Sequence, residues 1–259
     1  MNCKICGVST IFVHHAKILN KYDIQYFQCP ECEFVQTEEP YWIDEAYSAA
    51  LSVSDTGVMS RNHEFNKVAS LIFGLFHDKN DCFLDYGGGY GIFVRLMRDK
   101  GYDFYWYDKY ADNLVARGFE GDINKLRYAG VTSFENFEHF VNPLEDIEAI
   151  FKLTDFVLFS TTLVSTPAPH PDKWWYYCLE HGQHVSIFSY KSLEFIAKKY
   201  NYFLASNGKD LHILSKKKIP KYIFFIERII RKSGLSFLFK NKSKTNSDMH
   251  DMIKKMNQV

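Results

Sequence analysis

Four cysteines, a run of glycines and three histidines hold most of the chemistry this chain can do. Cys3-Lys4-Ile5-Cys6 and Cys29-Pro30-Glu31-Cys32 are two C-x-x-C units separated by a polar, strand-like stretch. Each unit wraps a turn that offers two thiolates. Two such turns close a tetrahedral four-sulfur site of the kind zinc occupies. A closed site staples a fold, whereas a catalytic zinc keeps an open position. Cys3, Cys6, Cys29 and Cys32 are therefore expected to hold a structural Zn2+ in a ribbon over residues 1–40. His14 and His15 stand nearby as substitute ligands, but four cysteines already suffice. Cys82 and Cys178 read as core residues.

The second constellation is Leu84-Asp85-Tyr86-Gly87-Gly88-Gly89-Tyr90-Gly91, of the form Asp-x-Gly-x-Gly-x-Gly. It follows the apolar run Cys82-Phe83-Leu84 and opens an amphipathic segment, Ile92 to Met97. That order predicts a strand, a glycine turn and a helix, the context such a motif needs. Glycine suits a tight turn where a ligand approaches bare backbone. The dinucleotide spacing G-x-G-x-x-G fails, because the third position falls on Ile92 or Val94. A phosphate-cradling loop fails too, because no Gly-Lys-Ser/Thr follows. Asp85 is a poor neighbour for pyrophosphate and suits a cofactor bearing an ammonium group and a sulfonium. The next expected strand, Asp103 to Asp108, ends on an acid placed to accept hydrogen bonds from ribose hydroxyls; a turn or cap role is the alternative. Thr56 and Arg61 precede the motif, and Arg61 offers a planar donor fork to a carboxylate; an exposed linker with a solvated Arg is the equal alternative.

In this order the motifs resemble the class I S-adenosylmethionine-dependent methyltransferases. Asp85 to Gly91 matches that family's first motif and Asp108 its ribose-binding acid. Glu135-Asn136-Phe137-Glu138-His139 resembles its E-x-x-E-H segment. Glu180-His181-Gly182-Gln183-His184-Val185-Ser186-Ile187-Phe188-Ser189 resembles a late H-h-x-h-F-[ST] segment, h being apolar. The resemblance covers about Asp81 to Lys218. It implies cofactor contacts at Asp85, Tyr86, Gly87, Gly89, Gly91, Asp108 and Glu135, beside Thr56 and Arg61. It also implies an α/β fold: a Rossmann-like, seven-stranded, mostly parallel sheet with helices on both faces, here with a small N-terminal zinc ribbon.

Methyl transfer from a sulfonium mainly needs donor and acceptor positioned, and an oxygen or carbon acceptor also needs a base. Histidine suits that role because its ordinary pKa lies near working pH. His184, His181 and His139 are the candidates, with Glu138 or Glu180 to orient a histidine or take the proton. The order of ribbon and methyltransferase resembles enzymes acting on nucleotide-linked deoxysugars and members found with surface-polysaccharide enzymes. The deoxysugar C-methyltransferases are longer, so their catalytic residues do not transfer to this chain. The expected acceptor is a sugar or nucleotide sugar. An RNA methyltransferase that reads through its ribbon, and an inactive zinc-dependent scaffold, are the other classes.

Elements must position these groups. The spacing of Phe65, Val68, Ala69, Ile72 and Phe76 predicts a helix before the glycine motif. Helix Ile92–Lys100 should stop at Gly101. Strands are expected at Phe104–Tyr107, near Thr132–Phe134 and at Phe156–Phe159. A helix over Lys191–Tyr200 should precede strands Tyr202–Ala205 and Leu211–Leu214, turned at Asn207-Gly208. The third strand is poorly marked. Pro167 to Tyr177 reads as a proline-rich aromatic insertion, either a substrate lid or a surface loop whose aromatics cover the sheet. Boundaries follow at 1–40 (ribbon), 41–78 (linker and capping helix), 79–218 (cofactor-binding domain) and 219–259 (helix and tail). A helix from Pro220 to Gly234 suits packing on the enzyme or a partner subunit, with a membrane surface as the alternative. The stretch beyond Lys240 is expected to fray.

The 259 residues suit one enzyme-sized domain plus a small appendage. An apolar share of 46% with 17% aromatic residues supports a sizeable core. Lys plus Arg number 31, as do Asp plus Glu, so no global basic excess favours wrapping nucleic acid. No run of about 18 apolar residues suggests a membrane span. A polar start with paired cysteines lacks the look of a signal peptide, and thiolate cysteines favour a reducing, cytoplasmic setting.

Overall fold

A computed structural model describes residues 1–47, 54–78, 80–124, 127–235, 239 and 241–257. In chain order the strands are β1 (Ile11–Ile18), β2 (Tyr22–Gln28), β3 (Val35–Thr37), β4 (Cys82–Tyr86), β5 (Asp103–Tyr107), β6 (Gly130–Ser133), β7 (Phe156–Ser160), β8 (Ser186–Ile187), β9 (Phe203–Ser206) and β10 (Leu211–Ser215). The helices are α1 (Ile43–Ala46), α2 (Val58–Phe76), α3 (Ile92–Asp99), α4 (Pro143–Leu153), α5 (Tyr190–Lys199), α6 (Ile223–Lys232) and α7 (Thr245–Met256). A four-stranded sheet runs β1-β2-β3-β8, and a six-stranded sheet runs β5-β4-β6-β7-β10-β9. Contacts group the chain into two compact units. One holds Met1–Ser52 and Ser133–Lys221; the other holds Val53–Thr132 and Tyr222–Val259.

In the first unit, β1 and β2 form an antiparallel hairpin. Its turn, Leu19-Asn20, has φ of 51° and 53°, the left-handed pair that matches strand twist. Along β2 the alternate residues Ile24, Tyr26 and Gln28 are buried, as a half-buried strand requires. β3 pairs with β2, and β8 then joins β3 through Val35–Ile187 and Gln36–Ser186. The late H-h-x-h-F-[ST] segment thus supplies the fourth strand of the small sheet. Tyr176 and Tyr177 are each 1% exposed and share a core with Ile24, Tyr26, Val35, Trp42, Val185 and Ile187. Tyr176 and Tyr177 thus cover the sheet, as the second of the two readings of that run has it, and only Trp175, 73% exposed, stands out of the aromatic run. β10 pairs antiparallel with both β7 and β9, and the β9–β10 turn falls at Asn207-Gly208 as read from sequence. Ser189 caps α5 in a reciprocal box with Ser192.

In the second unit, β4 pairs parallel with β5 and β6. Phe73 of α2, Phe83, Phe93 and Phe104 pack as rings 4.6–5.5 Å apart. The described residues give the large sheet six strands, mixed in direction, where seven were expected. At the third position only Glu120 bridges to Trp106. The physical reason is local: between Lys109 and Asn124 the apolar residues are scattered, and Gly118 and Gly121 flank the bridge.

The C-terminal stretch is also corrected. Instead of fraying, it forms α7, whose Asp248 is 4% exposed and accepts from Arg98 Nε and Nη2 at 2.8 Å each, and from Arg95. Arg98 also donates to Asp103 at 2.8 Å and lies 3.7 Å from the Phe119 ring centroid. Helix α6 buries Ile223, Phe224 and Glu227, leaves Phe225 and Ile229 exposed, and ties to Glu64 of α2 through Arg231 at 2.9 Å. The apolar run Leu235 to Phe239 falls partly on residues 236–238, outside the described residues. No described helix is long and apolar enough to cross a membrane.

Candidate functional site

The glycine turn lies wholly in the second unit. Gly87 and Gly88 donate their N–H groups to Tyr107 O at 2.8 and 3.0 Å. Gly89 N–H donates to Asp108 Oδ2 at 2.8 Å, and Gly89 O accepts from Trp106 Nε1 at 2.8 Å. Gly91, at φ 85°, starts α3; a side chain there would meet Asn113 and Ala116 within 3 Å. Gly89, at φ 51°, has no atom within 4 Å of where a Cβ would stand. The turn is therefore braced on the protein side and bare at Gly89, where a ligand can approach backbone. The Tyr86 ring lies 5.0 Å from that of Tyr107.

Asp108 has a structural duty, the turn role that its position offered as the alternative. Besides Gly89, it accepts from Tyr110 N at 2.7 Å and Ala111 N at 2.9 Å. A carboxylate offers about four acceptor positions, so about one is left for a hydroxyl without rearrangement. Asp85 is 3% exposed and accepts from Thr132 Oγ1 at 2.7 Å. Burial pushes its pKa up to about 7, and the Asp108 charge adds to the rise. A nearby cation would favour its charged form. A positively charged nucleoside cofactor fits this set: bare backbone at Gly89, an acceptor at Asp108 and a buried acid responsive to positive charge. Arg61 is committed to Asp55 at 2.6 Å, and Thr56 is exposed in the turn before α2.

In the first unit the four cysteine Sγ atoms converge within 4.8 Å of one another. Cys3 and Cys32 are 3.5 Å apart, Cys6 and Cys29 3.3 Å, and none forms a disulfide. Four thiolates around zinc sit roughly 3.8 Å apart, given a bond of about 2.3 Å, so this set fits the ion with small adjustment. Both turns aim backbone N–H groups at sulfur: Ile5 N to Cys3 at 3.4 Å, and Cys32 N to Cys29 at 3.5 Å. The ribbon is tied to the β8 segment by Ser189 Oγ donating to Cys32 O, Thr37 N to Val185 O, and Trp42 Nε1 to Gly182 O.

Those ties position the histidines. His184 precedes β8, and its ring lies 5.1 Å from that of His139 and 4.8 Å from that of Tyr176. His184 Nδ1 lies 2.6 Å from Tyr176 O. A carbonyl only accepts, so Nδ1 carries the proton and Nε2 is the acceptor of the neutral ring. Burial holds His184 down at about 4 and His139 well below the ordinary value, and each is lowered further by neighbouring histidine, including His181. Glu138 is fully buried, and neither carboxylate oxygen has a hydrogen-bond partner among the described residues. The Tyr176 and Thr161 hydroxyls lie nearby and favour its charge without reaching hydrogen-bond geometry. Burial first, then the Glu135 charge, push its pKa up to about 8. Glu135 itself, at φ 50°, exchanges two hydrogen bonds with Ser160, of 2.7 and 2.6 Å.

The three histidines read from sequence are thus neighbours, as are Asp85, the glycines and Asp108. Arg61 is drawn to an acid of its own turn. The sequence reading passed over Trp106, Thr132 and Tyr176. Trp106 had a signal, since it stands two residues before Asp108, the spacing of one strand face. Thr132 had none, and Tyr176 stood only as one ring of the aromatic insertion.

A family profile described as a methyltransferase domain matches residues 60–207, more than half of the 259 residues. No curated protein matches the sequence. Among solved structures, magnesium protoporphyrin IX methyltransferase from Synechocystis PCC 6803 with bound S-adenosylhomocysteine is 12% identical. It aligns over 67% of this chain and 92% of its own, with a TM-score of 0.45. An O-methyltransferase family protein from Burkholderia thailandensis is 11% identical over 69% and 68%, TM-score 0.44. Human N-acetylserotonin methyltransferase, in complex with S-adenosylmethionine, is 10% identical over 62% and 55%, TM-score 0.45. On the family match, the chain belongs to the methyltransferase-domain family.

Proposed function

We propose that the protein methylates an oxygen or carbon of a small molecule, a sugar or nucleotide sugar of surface-polysaccharide biosynthesis, with a histidine as base. The bare backbone at Gly89 beside Asp108 carries the cofactor part of this reading. S-adenosylmethionine supplies an electrophilic methyl group when bound. Gly87, Gly89, Gly91 and Tyr86 shape the turn, Asp108 accepts from a ribose hydroxyl, and Asp85 answers the positive charge. Thr56, Arg61 and Glu135 remain candidate contacts. Of the histidines, His184 offers an unprotonated Nε2, since its Nδ1–H is held by Tyr176 O. A neutral imidazole in an apolar setting takes up a proton as the acceptor gives one up. His139 and His181 are the alternatives in the same group. The exposed Trp175 ring supports a sugar, whose apolar face stacks on aromatics. The cysteines hold a structural Zn2+, and the ribbon, 1–40, serves the 79–218 domain by fixing β8.

Calorimetry with S-adenosylmethionine and its demethylated product tests the first step: one site per chain is expected, and no binding to either refutes the reading. Turnover on a panel of nucleotide sugars tests the second. Methylation of RNA alone, with salt-sensitive binding, would replace the acceptor class.

A further inference from the structure

The grouping of Glu138, His139 and His184 has a property the base role does not use. One atom from each lies within 4.8 Å of the others: a carboxylate oxygen and two imidazole nitrogens. Ligands around a transition metal, bound at about 2.1 Å, stand roughly 3–4 Å apart, so modest side-chain rotation closes the set. Two further observations point the same way. Both Glu138 oxygens are buried without a hydrogen-bond partner among the described residues, an arrangement a protein rarely keeps unless something else satisfies them. His184 gives its Nδ1–H to the Tyr176 carbonyl, the kind of outer contact that fixes a ligating imidazole and leaves Nε2 unprotonated.

We propose that Glu138, His139 and His184 form a second metal site, for a divalent transition ion, distinct from the four cysteines. Two imidazoles and one carboxylate suit ions such as Co2+, Zn2+ or Fe2+, and three protein ligands leave coordination positions open. An open position takes an oxygen ligand such as a hydroxyl. His139 and His184 are both partly exposed, which gives the ion a way in, while Glu138 closes the site from the interior. The site stands on its own geometry; only its use in methyl transfer rests on the proposed function. In that use His139 and His184 serve as ligands, and His181, outside the ligand set, carries the proton.

The test uses the full chain with its ribbon zinc in place, verified by elemental analysis, titrated with Co2+ and followed by visible absorption and calorimetry. One further equivalent is expected, with nitrogen and oxygen ligation and no sulfur-to-metal charge-transfer band. Glu138→Gln and His184→Asn should each weaken it at least about tenfold, the low end of what losing even an outer partner costs. Their melting curves and S-adenosylmethionine affinity serve as folding controls. The proposal is overturned if wild type takes no further equivalent, if the added Co2+ shows only thiolate ligation, or if both variants bind it unchanged. Cofactor binding without the second ion sinks this site and leaves methyl transfer standing; the second ion without cofactor binding does the reverse.

Discussion

The glycine turn and the histidine group differ in how far the chain must travel to build them. Asp85, Gly89, Gly91, Trp106 and Asp108 lie on one β-turn-α-β passage, and Asp108 satisfies the turn's backbone directly. Glu138 with His139, Tyr176 and His184 come from three separate segments, and His184 is set by a strand that completes the small sheet. Local hydrogen bonds make the first region self-supporting. The second depends on pairing with a distant strand, β3. In both, burial removes an acid from water, yet Asp85 has Thr132 as a donor while the Glu138 oxygens have no hydrogen-bond partner among the described residues.

The largest effect should come from Cys29→Ser. Zinc binding to such sites is worth on the order of 10 kcal/mol, so losing a thiolate should cost several and release β8. Metal analysis should show loss of zinc, and methyl transfer should fall at least about 100-fold with the His184 segment unfixed. S-adenosylmethionine affinity should change less than about threefold, because the turn carries its own supports. Equal loss of cofactor binding would break the comparison.

Next is Asp108→Ala. It strips Gly89, Tyr110 and Ala111 of an acceptor and removes the proposed ribose contact. Charge-assisted hydrogen bonds contribute about 1.5–3 kcal/mol each, so cofactor affinity should fall about 10- to 100-fold by calorimetry. Unchanged affinity would refute its role in cofactor binding. The four-cysteine zinc should be retained.

The pH dependence sharpens the contrast further. Asp85 titrates near 7 when folded and near 3.8 when unfolded. Between those values the folded state holds a proton the unfolded chain has lost, so this group's contribution to stability declines as pH rises from about 4 to about 7. A cation favours ionised Asp85, so S-adenosylmethionine should bind more tightly as pH rises from 6 to 8, by at most about tenfold per unit below the pKa. Asp85→Asn should flatten that profile; an identical slope in the variant would count against the assignment.

The smallest effect belongs to Arg61→Ala. The Arg61–Asp55 pair is partly exposed, so its loss should cost about 0–1 kcal/mol in chemical denaturation. A drop in cofactor affinity beyond about threefold would return Arg61 to the binding set.

Much of the second unit was legible from local pattern. The helical spacing of Val68, Ala69 and Ile72, the strand before Asp85 and the stop at Gly101 each depend on neighbours a few residues away. The third strand shrank to the Glu120 bridge because its residues lack a β-forming run. Helix α7 was illegible for the opposite reason. Its sequence is polar, and the groups that hold it, Arg95 and Arg98, lie about 150 positions earlier. Tyr176 and Tyr177 resembled lid aromatics because a buried ring and an exposed one are the same letters.

By itself the sequence determined the two metal-ready cysteine pairs, the nucleoside-type turn with its acid, and three candidate histidines, since spacing alone dictates those local geometries. Only the tertiary structure decided that the late histidine segment would become a strand of the small sheet, and that His184, His139 and Glu138 would meet around buried oxygens unpartnered among the described residues. Pairing between β3 and β8 joins residues about 150 apart, and burial and partnership are properties of that packing rather than of any local stretch.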